Sequence, residues 1–239
     1  MTYDRHAHVQ KKAAADLLAF TGPCDPRRIV EPGCGTGIYS RMLADAFPGA
    51  AILGVDIAEE RVAQARRNVV SPAVRFEALD AEEMPAVPCD LVTSNATFQW
   101  FRRLPDTIAR FARMLDGGGV LTFSFFGPGT FAELEDATRE VLGDGVRVAA
   151  SAFAGPDAVC AALSAAFPRV RIEDTTYSRT FPSLLDLLRS IKGTETRGAP
   201  ALPETRWSRG TLARIEDAYR HRCGAIRATY RVRFCKGER

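Results

Sequence analysis

The segment that most restricts this chain is Val30-Glu31-Pro32-Gly33-Cys34-Gly35-Thr36-Gly37. Three glycines at alternate positions permit a sharp backbone turn and the close approach of a ligand. Arg28 to Val30 before it reads as a short strand, and Tyr39 to Phe47 after it as a helix. A strand, a glycine turn and a helix in that order open a nucleotide-type site at the carboxyl end of a parallel strand. The spacing is G-x-G-x-G, whereas dinucleotide sites use G-x-G-x-x-G, and either triplet alone is a weak sign. Glu31 separates the readings: a carboxylate there repels a pyrophosphate and attracts a cationic amino group.

The strand–helix alternation continues. Ala51 to Val55 reads as a strand ending at Asp56, Ala58 to Asn68 as a helix, and Val74 to Glu77 as a third strand. Asp90 to Thr93, a helix over Thr107 to Leu115 and a strand over Val120 to Phe126 follow. That rhythm predicts an α/β fold, a parallel sheet with helices on both faces. Ahead of it, Val9, Ala13, Leu17 and Leu18 recur at helical spacing, predicting one helix from Tyr3 to Phe20 that stops at Gly22-Pro23.

Beyond Gly127 the pattern changes. Helices are predicted at Phe131 to Leu142, within Ala149 to Phe167, at Ser183 to Lys192 and at Thr211 to His221. Strands are predicted at Val170 to Phe181 and Ile226 to Phe234, with a loop from Gly193 to Trp207. No linker or repeat interrupts the chain. The expectation is a single domain over residues 1–239, with residues about 181–222 inserted as a small helical cap before the last strand.

Composition narrows the function. A chain of 239 residues, 46% hydrophobic and 26% charged, suffices for one full core. No apolar run reaches the roughly 18–20 residues a membrane span needs, and Met1 to Gln10 is polar, so a cytoplasmic protein without membrane association is expected. The six cysteines form no C-x-x-C pair, and His6 and His8 lie two apart, so no metal is expected. The net charge of +3 carries no Lys/Arg block interleaved with aromatics, which argues against a nucleic-acid partner.

Other candidate ligand contacts sit at successive strand ends. Asp56, 19 residues beyond Gly37 and followed by Ile57, is placed to accept ribose hydroxyls. Asp80 is placed to meet an adenine amino group, with Ala81 leaving room for the ring, and Asn95 ends the fourth strand. Each acid has a plainer reading taken alone: Asp56 as a helix cap, Asp80 as a turn residue. Their coincidence on one sheet edge with Glu31, Gly33, Cys34, Gly35 and Gly37 favours a single ligand.

These residues resemble class I methyltransferases that use S-adenosylmethionine (SAM), over about residues 28–126. The resemblance implies a Rossmann-like seven-stranded sheet with an antiparallel last strand, and SAM as methyl donor. Four segments narrow it further: Tyr3-Asp4-Arg5-His6-Ala7-His8-Val9-Gln10, Asn95-Ala96-Thr97-Phe98-Gln99-Trp100, Leu188-Arg189-Ser190-Ile191-Lys192-Gly193-Thr194 and Ala228-Thr229-Tyr230. Together they resemble the malonyl-acyl-carrier-protein O-methyltransferase family of biotin synthesis. That implies methylation of the free carboxylate of a malonyl thioester, with an acidic acyl carrier protein as partner. Arginines at 189, 197, 206 and 209 suit such a partner.

A carboxylate acceptor is ionised at neutral pH, so no catalytic base is expected. A charged group entering a dry pocket needs a cation or several donors, for which Arg189 and Lys192 are candidates, with a solvated helix face as the alternative. Tyr230 and Trp100 are candidates to line the acceptor pocket, with core packing as the alternative. Tyr3 and Gln10 are expected to close over SAM, or else to be an exposed helix end. Other open readings are a methyltransferase for a small free acid or a quinone ring, and a SAM-binding sensor or scaffold without chemistry.

Overall fold

The computed structural model describes residues 3–143, 156–194 and 207–239. The chain divides into two compact units. The larger comprises His8–Phe125, Gly155–Asp174 and Arg233–Arg239; the smaller comprises Met1–Ala7, Phe126–Ala154 and Thr175–Val232.

In the larger unit, α2 (His8–Thr21) leads to β1 (Arg28–Pro32), α3 (Ile38–Ala46), β2 (Ala51–Asp56), α4 (Glu59–Asn68) and β3 (Val74–Ala78). Next come β4 (Cys89–Asn95), a 3-10 turn at Phe98–Trp100, α5 (Leu104–Met114), β5 (Leu115–Phe126) and, later in the chain, α7 (Pro156–Ala166). The smaller unit holds α1 (Tyr3–His6), α6 (Ala132–Leu142), α8 (Leu184–Thr194) and α9 (Arg209–Cys223). Two long strands, β6 (Arg169–Phe181) and β7 (Ile226–Glu238), belong partly to each unit. One seven-stranded sheet runs β3-β2-β1-β4-β5-β7-β6. The first five strands are parallel to one another. Gly127 N–H donates to the Arg231 carbonyl and Arg239 N–H to the Gly119 carbonyl, so β7 runs antiparallel to β5. The sheet is therefore mixed and Rossmann-like, as the resemblance implied.

The order reverses between β1 and β4, the position where ligands bind in open α/β sheets. Parallel strands covered on both faces are buried, and Ile29, Val30, Leu91, Val92, Leu121 and Phe123 are all at most 2% exposed. Phe98 stacks on Phe123 with centroids 3.7 Å apart and fixes the segment that follows β4. A chain of buried hydroxyls, Tyr39–Thr93–Thr122–Thr21, joins α3 and α2 to the sheet at 2.8–3.0 Å per link, and Thr21 donates on to the Leu17 carbonyl. Each hydroxyl removed from water thereby keeps a partner.

The structure departs from several sequence expectations. The N-terminal helix is broken at Ala7, which is fully buried. β5 starts at Leu115, because Gly117-Gly118-Gly119 accommodate a register shift opposite Cys89 and Leu91. β7 continues past Phe234 to Glu238. Gly193 and Thr194 belong to α8 rather than to a loop. Of the stretch 149–167 within which a helix is expected, the part to residue 155 lies outside the described residues, as do Arg197 and Arg206. No helix among the described residues is long and apolar enough to cross a membrane.

Candidate functional site

The glycine turn lies in the larger unit, and its three glycines do different things. Gly33 has φ +72°, and a β-carbon there would stand 2.1 Å from Thr97 Oγ1. Gly37 has φ +84° and a β-carbon would press on Ala65 of α4 and on Val69 just beyond it. Gly35 has φ +53° and faces open space, with no atom within 4 Å of a β-carbon position. Gly33 and Gly37 therefore serve packing within the chain, and Gly35 leaves the opening a ligand can approach. The Gly33 and Cys34 N–H groups donate to the Val55 carbonyl at 2.7 and 3.0 Å, locking the turn to β2. The Cys34 side chain packs with Val62, Ala65, Val69 and Phe76. Burial first, then the nearby Glu31, pushes its thiol pKa up. Only the Cys34 main chain is thus available to a ligand.

Glu31 is 1% exposed and accepts a short hydrogen bond from Ser40. Burial raises its pKa to about 8; the Ser40 bond opposes the shift and the Asp56 charge adds to it. A buried carboxylate with one neutral donor and an acid nearby is stabilised as an anion only when a cation joins it. A cationic ammonium is the ligand group this position fits.

Asp56 accepts from Gly35 N–H through Oδ2 and from Ala58 N–H through Oδ1, each at 2.9 Å. It links the open glycine to the start of α4, and its remaining lone pairs can take hydroxyl donors. Ile57 beside it is 62% exposed, an apolar surface suited to a flat ring. Asp80 accepts from Glu82 N–H at 2.9 Å, so the turn role is present, and it lies 3.7 Å from the Arg102 guanidinium. Ala81 is buried behind it.

Glu82, a residue the sequence reading passed over, organises this side of the site. It is buried and accepts from the N–H groups of Arg102 and Arg103 and from Thr107 Oγ1. Desolvation works against its charge, but these hydrogen bonds outweigh it and hold the carboxyl below its ordinary value. It caps α5, whose own first residues supply no side-chain cap.

The end of β4 is a constrained turn. Ala96 has φ +55° and donates to both the carbonyl and the hydroxyl of Ser124. Asn95 accepts from Ser124 Oγ at 2.8 Å and donates to the Gln10 carbonyl at 3.0 Å, so much of its amide is committed to joining β4, β5 and α2. Gln10 enters this junction through its main chain. Trp100 is half-buried at the end of the 3-10 turn, while Phe98 fills the core.

The remaining candidates lie in the smaller unit. Arg189 and Lys192 are exposed on α8, and Arg189 lies 3.5 Å from Asp186. Ser190 and Ile191 between them are buried. A β-carbon on Gly193 would stand 2.5 Å from the His6 ring, so this glycine is the seat on which α1 packs against α8. Two of the segments that carried the resemblance thus meet. Tyr3 lies in α1. Tyr230 is 6% exposed, beside the rings of Phe126 and Phe131, and burial pushes its phenol up to about 12. Among the described residues no group of three His, Cys, Asp or Glu is placed to hold a metal.

The Methyltransferase domain family matches residues 30–123, which contain the glycine turn, Asp56 and Asp80. A malonyl-[acyl-carrier protein] O-methyltransferase of Geobacter sulfurreducens is 35% identical over 99% of this chain and 94% of its own length. One from Methylococcus capsulatus is 37% identical over 96% and 86%. Among solved structures, a methyltransferase described as putative from Bacillus halodurans aligns with TM-score 0.65 at 15% identity, covering 95% of this chain and 98% of that one. The YcgJ protein of Bacillus subtilis aligns with TM-score 0.63 at 17% identity, covering 95% and 97%. At those identities the structures speak to the fold alone. The near-complete coverage of the sequence relatives goes further: this chain is a methyltransferase and belongs to the malonyl-[acyl-carrier protein] O-methyltransferase family.

Proposed function

We propose that this protein transfers a methyl group from SAM to the free carboxylate of a malonyl thioester on acyl carrier protein, giving the methyl ester at an early step of biotin synthesis. The observation that carries the reading is similarity to relatives of that name over nearly the whole chain, including the segments outside the methyltransferase domain. The buried Glu31 supports the donor half, because it fits the ammonium of the methionine moiety. Gly35 leaves room for the ligand, Asp56 is suited to the ribose hydroxyls, and Ile57, Asp80 and Ala81 to the adenine ring.

When bound, SAM supplies a methyl group activated by a sulfonium: the carboxylate oxygen forms the new C–O bond as the C–S bond breaks and its electron pair stays on sulfur. No proton moves in that step, so the chain needs no base at the reacting atoms. Its work is to hold donor and acceptor in line and to exclude water. Arg189, Lys192, Tyr230 and Trp100 are the residues proposed to receive the acceptor. One carboxylate oxygen must remain free of strong donors, since a fully clamped carboxylate is a poorer nucleophile. Tyr3 and Gln10 are proposed to border the donor, Gln10 through its main chain. The acidic carrier suits a chain with net charge +3.

The test is S-adenosylhomocysteine release with malonyl-carrier protein, malonyl-CoA, free malonate and acetyl-carrier protein. Turnover with the malonyl thioesters and none with the acetyl form is expected. Equal turnover of free malonate would replace the reading with a small-acid enzyme. SAM binding without turnover of any acceptor would leave a sensor or scaffold.

A further inference from the structure

The smaller unit holds an arginine on β6 better suited than Arg189 of α8 to meet a carboxylate. We propose that Arg179 and Tyr230 form the pair that recognises the acceptor's free carboxylate, with Phe131 holding Tyr230 in place. This rests on the carboxyl-methylation reading above and names the residues that would confer its specificity.

The pairing of β6 with β7 puts the two side chains on one face. Arg169 bonds Glu238, and Arg233 donates to Asp174 through Nε and Nη2, each at 2.6 Å. Both pairings fit one antiparallel register, which sets Tyr177 opposite Tyr230 and Arg179 opposite Ala228. Over the stretch 175–181 against 226–232 burial alternates in step: residues 175, 177, 179 and 181 are less exposed than 176, 178 and 180 on β6, and 226, 228, 230 and 232 are buried on β7. Arg179 and Tyr230 are therefore diagonal neighbours, within reach of a long side chain, and Ala228 leaves Arg179 space to extend. The guanidinium charge is felt at the phenol, where it favours the ionised form.

Arg179 is half-buried and lies over the Phe181 ring, 4.8 Å from its centroid. Among the described residues no carboxylate pairs with it, whereas Arg189 has Asp186. A planar guanidinium steadied on an aromatic face keeps its donors for a carboxylate.

Tyr230 is gripped from residues 127–133. Phe131 N–H donates to the Thr229 carbonyl at 2.8 Å, and Glu133 accepts from both the N–H and the hydroxyl of Thr229. On the other side, Thr130 Oγ1 accepts from Arg231 N–H at 3.1 Å and donates to the Arg231 carbonyl at 3.2 Å. Phe131 adopts φ +61°, ψ +30°, a conformation natural to glycine or asparagine and strained for a bulky residue. Its side chain makes no cap for α6. What the phenylalanine adds is its ring, edge-on to Tyr230 with centroids 4.9 Å apart. Strain kept at one residue to hold another is characteristic of functional sites.

The experiment compares Arg179→Gln, Arg179→Lys and Tyr230→Phe in the full chain. It measures KM for malonyl-carrier protein, inhibition by acetyl-carrier protein, SAM affinity and thermal midpoint. Arg179→Gln is expected to raise the malonyl KM at least tenfold while leaving acetyl-carrier inhibition and SAM affinity at wild-type values, because only the malonyl form carries the carboxylate. Arg179→Lys should recover part of the loss, and Tyr230→Phe should raise the same KM severalfold. A wild-type malonyl KM in Arg179→Gln, or equal weakening toward malonyl and acetyl carriers, overturns the inference while leaving the proposed function standing. Failure of the unmutated protein to methylate any malonyl thioester overturns both, and that result needs no variant.

Discussion

Glu31→Gln should make the ligand-free protein more stable at alkaline pH while weakening its hold on SAM. Burial raises the Glu31 pKa from an ordinary 4.5 to about 8. The folded chain then keeps a proton that the unfolded chain releases. The Glu31 contribution is fully present below about pH 4.5 and is lost as pH rises through 8. At 1.36 kcal/mol per unit, roughly 3 kcal/mol has gone by pH 7 and on the order of 4–5 kcal/mol above pH 9, as an upper bound. Glutamine carries no charge and escapes that loss. Donor binding runs the other way. An ammonium pairs with the ionised carboxylate, so wild-type binding should release about one proton near pH 6.5 and tighten by up to about tenfold per pH unit between roughly pH 5.5 and 7.5. The assays are thermal melts of both proteins at pH 5 and 8.5, and calorimetric titration of S-adenosylhomocysteine in buffers of different ionisation enthalpy. Parallel pH–stability curves for the two proteins, together with no proton release, would refute the reasoning.

Other outcomes follow from the same geometry. Gly33→Ala should cost roughly 3 kcal/mol or more, since it adds a clash with Thr97 to a positive φ, whereas Gly35→Ala should cost only about 1 kcal/mol but weaken SAM binding sharply; denaturant melts and SAM titration separate the two. Glu82→Gln should cost about 2 kcal/mol at pH 7, because it loses the carboxylate cap on α5. The difference should shrink as the pH falls through the folded-state Glu82 pKa, which lies below its ordinary value. Arg189→Ala and Lys192→Ala should each raise the acceptor KM without altering SAM affinity, which steady-state kinetics with each substrate varied in turn will show.

Much of the parallel half was legible because its signals are local. A strand, a glycine turn and a helix are neighbours in sequence, and Asp56 and Asp80 follow their own strands, so alternation alone brings them to one sheet edge. What escaped depended on contacts distant in sequence. Helical periodicity continues through Ala7, so nothing local marks the break between α1 and α2. Gly193 reads as a loop residue until the His6 ring is seen on it. Gly117 to Gly119 look like a turn, yet β5 already runs through them. Glu82 sits in an acidic run whose members look alike until Arg102, Arg103 and Thr107 arrive from 20 to 25 residues away. Phe131 carries no turn signal, because its left-handed φ is imposed by the grip on Thr229 and Arg231. Arg179 carries no local signal on its strand, and only the register with β7 sets it beside Tyr230.

The most direct test of the central claim is the mass of the acyl group on malonyl-carrier protein after incubation with SAM and this protein. The account requires one added methyl group, located on the malonyl carboxylate as an ester and absent when the carrier bears acetyl. An unchanged malonyl group, with SAM bound and the protein folded, would contradict it.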